Sequence, residues 1–219
     1  RDLRMSRGLG DVYKRQKEGT GQVVVDFTPE PLTQDVSFVF HIEKTADVVV
    51  DSLTAEISGI PSTMELTTGL ILAQKTYKLL FRPTYAALPS AADSASAEAL
   101  RCEASVNIPG IVRSHTEDMV TGPGILQIAI YTHYDYEEEG TQRKAAKVFH
   151  AGINLYHTLK ERKSLQWDEE ENGYRQASRS ITVEIGSPLN IDKDGILNGG
   201  STSTGLDQWI PGETFEIEV

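Results

Sequence analysis

Apolar and polar residues take turns along most of this chain, and that period of two restricts the fold more than any short motif does. In "DVSFVFHI", Val36, Phe38, Phe40 and Ile42 fall on one side, with Ser37 and His41 on the other. Successive side chains of a strand point to opposite faces, so such a run is a strand with one face in a core and one in water. "KTYKLLF" repeats the pattern with Tyr77, Leu79 and Phe81, and "ILQIAIYTHYDY" repeats it with Leu126, Ile128, Ile130, Thr132, Tyr134 and Tyr136. Further strands are expected over 22–27, 48–57, 147–157 and 180–185. "YDYEEEGTQRKAAKVF" joins two runs through a short glycine-containing link, which predicts a hairpin and the longest ribbon of the fold.

Helix signals are weak. "SAADSASAEALRC" is rich in alanine, but serine is frequent and no stripe of period 3.6 runs through it, so 84–96 is expected to be a loop. The ending "ETFEIEV" alternates Phe215, Ile217 and Val219 with Thr214, Glu216 and Glu218, which predicts a terminal edge or near-edge strand with its charges in solvent. Many short strands, glycine and proline turns and little helix together predict an all-β fold, an antiparallel β-sandwich.

The first sixteen residues have a different texture. Ser6–Gln16, "SRGLGDVYKRQ", translates a sequencing-adapter string residue for residue, so residues 1–16 are read as an adapter-derived, non-native segment outside the fold. Two prolines in "FTPEPLTQD" interrupt consecutive strands, and residues 17–34 are read as the end of an upstream domain plus linker. The sandwich domain is then 35–219. With an adapter joined upstream, the true N-terminus and any export signal are expected to lie outside this sequence.

Charge narrows the partners. The chain holds 21 basic and 32 acidic residues, a net charge of −11; without residues 1–16 it holds 16 and 30, a net charge of −14. A surface this acidic repels phosphate backbones and anionic lipid, so nucleic acid and membrane surfaces are set aside. No apolar run is long enough to suggest a membrane-spanning helix. Cys102 is the one cysteine, and its place in the alternating run Leu100, Cys102, Ala104, Val106, Ile108 makes it a buried structural thiol.

Candidate sites are few. In "NIDKDGILNGGS", Asn190, Asp192, Asp194 and Gly195 sit at the first, third, fifth and sixth positions of a calcium loop, where alternate oxygen ligands surround a glycine turn. The twelfth position is Ser201 where a bidentate glutamate belongs, so an Asp-Gly turn between strands is the favoured reading and no metal is assigned. His41, His115, His133, His150 and His157 are scattered over different runs and faces, which does not suggest a metal centre. No nucleophile elbow, phosphate loop or zinc-protease run occurs, and the acidic clusters 137–139 and 168–171 read as solvated turns. No catalytic residue or cofactor is assigned, and the chain is expected not to be an enzyme. Trp167 reads as a core or rim aromatic, and Trp209 as a core aromatic that seats the last strand.

Three segments carry a resemblance. "PLTQDVSFVFHIEKTADVVVDSLTAEISGIPSTMELTTG", "ILQIAIYTHYDY" and "GLDQWIPGETFEIEV" together resemble the C-terminal domain of the fimbrillin-like lipoproteins of Bacteroidales, over most of 31–219. The shared features are Ile57–Ile60 (Ile-Ser-Gly-Ile), the Thr-Thr-Gly that follows, and a tryptophan shortly before a terminal alternating strand. The resemblance implies a transthyretin-like sandwich, exported and held at the outer membrane by a lipidated cysteine upstream of Lys17. It also implies interaction by strand addition to an open sheet. Because the alternation runs to Val219 with no spare tail, an anchor, accessory subunit or solitary surface lipoprotein is expected rather than a stalk pilin.

The expected function is therefore that of a non-catalytic cell-surface protein, a fimbrial anchor or accessory subunit or an adhesion lipoprotein. Its partners would be other surface or pilus proteins, met by pairing strands. The alternative is a carbohydrate-binding module, with Trp167 or one of Tyr131, Tyr134, Tyr136 and Tyr156 as the stacking platform.

Overall fold

A computed structural model describes residues 11–12, 26–27, 32–66, 69–88, 97–112, 123–168, 173–176, 178–197 and 209–217. In chain order its strands are β1 (Asp11–Val12), β2 (Asp26–Phe27), β3 (Gln34–Thr45), β4 (Val48–Met64), β5 (Ile71–Phe81), β6 (Thr84–Ala87) and β7 (Ala97–Ile108). These are followed by β8 (Ile125–Glu138), β9 (Thr141–Asn154), a short helix α1 (Leu155–Glu161), β10 (Leu165–Asp168), β11 (Gly173–Gln176), β12 (Ser180–Glu184), β13 (Leu189–Ile191) and β14 (Ile210–Ile217). The fold is all-β and built on two five-stranded sheets. The first sheet runs β12-β3-β7-β6, with β13 also on β3; the second runs β14-β9-β8-β4-β5.

The alternation does what its period requires. Val36, Phe38, Phe40 and Ile42 of β3 are buried, as are Leu126, Ile128, Ile130 and Thr132 of β8. Between the sheets Phe38 stacks on Phe81 with ring centres 6.0 Å apart, and Phe40 meets Trp209 edge to face at 5.4 Å. Each buried aromatic removes a large apolar area from water, worth about 1.5–3 kcal/mol, and such clusters hold the two layers together. Cys102 lies in this core, fully buried, and burial pushes its thiol up to about 12. It is the structural thiol that the alternation predicts.

Two bulges let β4 keep its apolar side inward across seventeen residues. Val48 and Val50 are buried, then Leu53, Ala55 and Ile57, a switch from even to odd positions. The register with β8 passes from Val50↔Thr132 to Ser52↔Tyr131, so Asp51 is the extra residue that absorbs the switch. The Tyr85 hydroxyl donates to the carbonyls of Val50 and Asp51, both at 3.1 Å. The second bulge is the Ile57–Ile60 segment, where the partner in β5 moves only from Leu79 to Tyr77. Gly59 has φ +77°, and a Cβ there would overlap Gly124 N and Pro123, so only glycine fits. Gly124 N–H donates to Ser58 O at 2.9 Å and Val112 N–H to Gly59 O at 2.8 Å, tying the bulge to two other segments.

The β8–β9 hairpin is the longest ribbon, paired from Ile125↔Asn154 to Glu138↔Thr141. Its two-residue turn has φ +51° at Glu139 and +75° at Gly140, the left-handed pair that suits the twist of a tight hairpin.

Four expectations need correction. Leu155–His157, assigned to a strand, open α1 instead, because the Asn154 side chain accepts the His157 N–H at 3.0 Å and caps the helix. Leu155, Tyr156, Thr158 and Leu159 are its buried side. Thr84–Ala87, assigned to a loop, form the edge strand β6 against β7, and 89–96 lie outside the described residues. The pairing is not wholly antiparallel, since β12 and β13 both run parallel to β3. Finally, β14 is an edge strand with Glu216 in solvent as expected, but Phe215 is exposed as well, as set out below. Of the strand expected over 22–27, only Asp26 and Phe27 are described, paired with Asp11 and Val12.

Candidate interaction surface

The two sheets end in edges of different construction. In the first sheet, β12 and β13 are two short pieces laid along β3, with β12 only five residues long. Arg162, just past α1, donates from Nη1 to Thr182 O at 3.3 Å and from Nη2 to Glu184 O at 2.7 Å. A guanidinium thus occupies the alternate carbonyls that an added strand would need. The opposite edge, β6, is four residues long.

In the second sheet, β5 carries Lys75 and Lys78, Lys78 paired with Glu56 at 2.7 Å, and lysines on an edge discourage pairing. The other edge is β14. Its first half is irregular: Pro211 has no N–H, and the register with β9 shifts between Pro211 and Thr214. Its second half pairs regularly, from Thr214↔Phe149 to Ile217↔Ala146. Among the described residues no strand pairs with the outer side of β14.

The register also shows which way β14 faces. Glu216 lies opposite Lys147, whose side chain points inward, is nearly buried, and donates to Lys193 O at 2.7 Å while meeting Glu216 at 3.1 Å. Burial works against the Lys147 charge, but Glu216 and Tyr134 outweigh it and hold the ammonium above its ordinary value. Glu216, though on the Lys147 side of the sheet, is 78% exposed at the edge, and Phe215 lies on the opposite side. It pairs with Val148, which is buried yet outside the core cluster, and packs edge to face on His150 at 5.5 Å. Phe215 is 50% exposed, so the expected inward Phe215 is overturned. The register is the reason: Phe215 falls beside Val148 and His150 on the outer side, and Glu216 beside Lys147 on the other.

An apolar field results on the outside of the second sheet. Ser52, Tyr131, Val148 and Phe215 form one row across four strands, and Val49, His133 and Ala146 lie in the next. Val49, Tyr131, Ile210 and Phe215 are all more than a third exposed. Asp51 is held against His133 at 2.7 Å at its margin. For a chain of net charge −11, so many apolar side chains beside such a strand edge are distinctive.

The other candidates fall elsewhere. Asp192 Oδ1 accepts the N–H of Asp194 at 2.7 Å and of Gly195 at 2.8 Å, closing a tight turn whose flanks bridge at Ile191 and Ile196. That carboxylate is directed at its own backbone, the Asx arrangement of a turn. Asn190 lies in the middle of the pairing with β3, opposite Glu43. His41, His133, His150 and His157 sit on separate elements, His115 lies outside the described residues, and among the described residues no three His, Cys, Asp or Glu side chains converge. Of the tyrosines, Tyr156 is buried and is no platform, while Tyr131 and Tyr136 are exposed and Tyr134 half-buried. Trp209 is buried against Phe40 as expected, and the Trp167 side chain lies outside the described residues. Glu137–Glu139 are exposed at the hairpin turn, and 169–171 lie outside the described residues. Sequence reasoning missed the outward field because alternation alone assigns every apolar position to the core. The signal that could have located it is Lys147, a lysine between Ala145 and Phe149 in the inward register of β9.

Comparison with protein-family models, with curated proteins and with solved structures finds no match. Among the described residues no helix is long and apolar enough to cross a membrane.

Proposed function

We propose that the protein is a non-catalytic component of the cell surface, a pilus anchor or accessory subunit or an adhesion lipoprotein, which works by pairing β14 with a strand of another protein. One observation carries this reading: the regular half of β14 is an edge with no strand on its outer side among the described residues, bordered by the outward Phe215 and the apolar field around Tyr131 and Val148. In strand addition the main chain supplies affinity, and pockets for alternate side chains supply register. Here that edge supplies the first, and the row from Tyr131 to Phe215 supplies the second. The fimbrillin-like resemblance of the sequence supports the same reading, as does the acidic surface, which disfavours nucleic acid and anionic membranes.

The test compares two exposed residues on opposite edges of one sheet. Phe215→Glu, made in source cells, is expected to leave the melting temperature within about 2 °C of the parent. It should abolish co-purification with the protein's surface partners, while Leu80→Glu on β5 keeps it. Equal loss from both variants, or none from Phe215→Glu, contradicts the strand-pairing role. Protease treatment of intact cells checks the location, since the proposal requires digestion without lysis.

A further inference from the structure

The end of the β8–β9 ribbon has a different character from the β14 edge. β4 leaves it at Val48↔Tyr134 and β14 at Ile217↔Ala146. From Asp135↔Lys144 to Glu138↔Thr141 the two strands run on with no further strand beside them among the described residues. They form an arm, solvated along its length.

Alternation sorts the arm into two faces. Tyr134, Tyr136 and Glu138 share one face, joined by Arg143, which lies directly opposite Tyr136. The two tyrosine rings are 6.2 Å apart at 50°, Tyr136 is 38% exposed, and the Lys147 ammonium lies 5.5 Å from the Tyr134 ring centre. The Arg143 guanidinium meets Glu138 at 2.9 Å and Lys147 meets Glu216 at 3.1 Å. Each cation on this face is therefore matched by a carboxylate. The face is locally neutral, although the chain carries −11.

We infer that this face of the arm, Tyr134 and Tyr136 with the Arg143–Glu138 pair, is a binding site for a neutral saccharide. Pyranose rings present C–H faces that pack on aromatic rings, and their rims carry hydroxyls that both donate and accept. Two neighbouring tyrosines supply the packing surface. The guanidinium supplies donors and the carboxylate acceptors at its side. A neutral ligand fits because the balanced charges offer no net attraction to an ion of either sign. The site adds a function to the surface role proposed above and does not depend on β14.

The test titrates isotope-labelled protein with cellohexaose, maltohexaose and mannohexaose, three neutral probes that differ in linkage and in the hydroxyl at C2. At least one should give saturable amide shifts confined to the arm by about 10 mM. Tyr136→Ala, a change at an exposed site, should weaken that binding roughly tenfold with an unchanged melting temperature. Phe215→Glu should leave it intact, which separates this site from strand pairing. No shifts with any of the three probes, shifts that map to Tyr131 and Val148 instead, or binding indifferent to Tyr136→Ala would each overturn the proposal.

Discussion

The β12–β13 edge and the β14 edge close the same core in opposite ways. The first is broken into two short parallel pieces along β3, and Arg162 occupies the carbonyls of Thr182 and Glu184. The second keeps a regular run from Thr214 to Ile217 and turns Phe215 out beside Tyr131 and Val148. A sheet edge is a template for association unless it is blunted. One edge of this molecule is blunted by a guanidinium, while the other carries an exposed aromatic ring. The difference teaches that the outward Phe215 belongs with an edge that no strand covers among the described residues, while the other side of β14 meets Lys147 through the exposed Glu216.

Removing the anchor of β14 should have the largest effect. Trp209 immediately precedes the strand and packs on Phe40, so Trp209→Ala is expected to cost about 3–5 kcal/mol in denaturant unfolding. A loss under about 1 kcal/mol would mean that β14 is held without its buried tryptophan, and the contrast between the edges would rest on the wrong residue.

Arg162→Ala probes the other edge. Loss of two charged hydrogen bonds at an exposed site should cost about 1 kcal/mol. The uncovered carbonyls should also make sedimentation depend on concentration. A variant that stays monomeric at every concentration would show that length and parallel pairing alone blunt this edge.

The smallest effect is electrostatic and concerns the pair of Lys147 with Glu216. Lys147 is held above its ordinary value of 10.5, so its contribution to stability is fully present below that value and is lost as pH rises through the higher folded value. Stability of the parent should therefore fall in the alkaline range above 10.5, and Lys147→Met should flatten that fall. An unchanged alkaline profile in the variant would remove Lys147 as the source of that fall.

Most of the layered fold was legible because period two translates directly into one buried face. The runs of β3 and β8, the β8–β9 hairpin, the buried Cys102 and the seat of Trp209 all follow from it. What alternation cannot report is a shift of phase or a change of element. In β4 the parity changes at Asp51, and the cause is an extra residue whose carbonyl is met by Tyr85 from the other sheet. At Asn154 the chain turns from strand to helix through a side-chain cap, a signal carried by one residue rather than by periodicity. The facing of β14 is a matter of its register with β9, which sets Glu216 opposite Lys147, sixty-nine positions earlier in sequence. The parallel placement of β12 and β13 is likewise topological, since nothing local in a strand names its neighbour.

The two edges can be set against each other in one experiment. A photoreactive benzoylphenylalanine placed at Phe215 in β14, and in a second variant at Thr182 in β12, would be irradiated on intact source cells. The account predicts a discrete cross-linked surface protein from position 215 and none from position 182. Cross-linking of equal strength from both positions, or from position 182 alone, would contradict it.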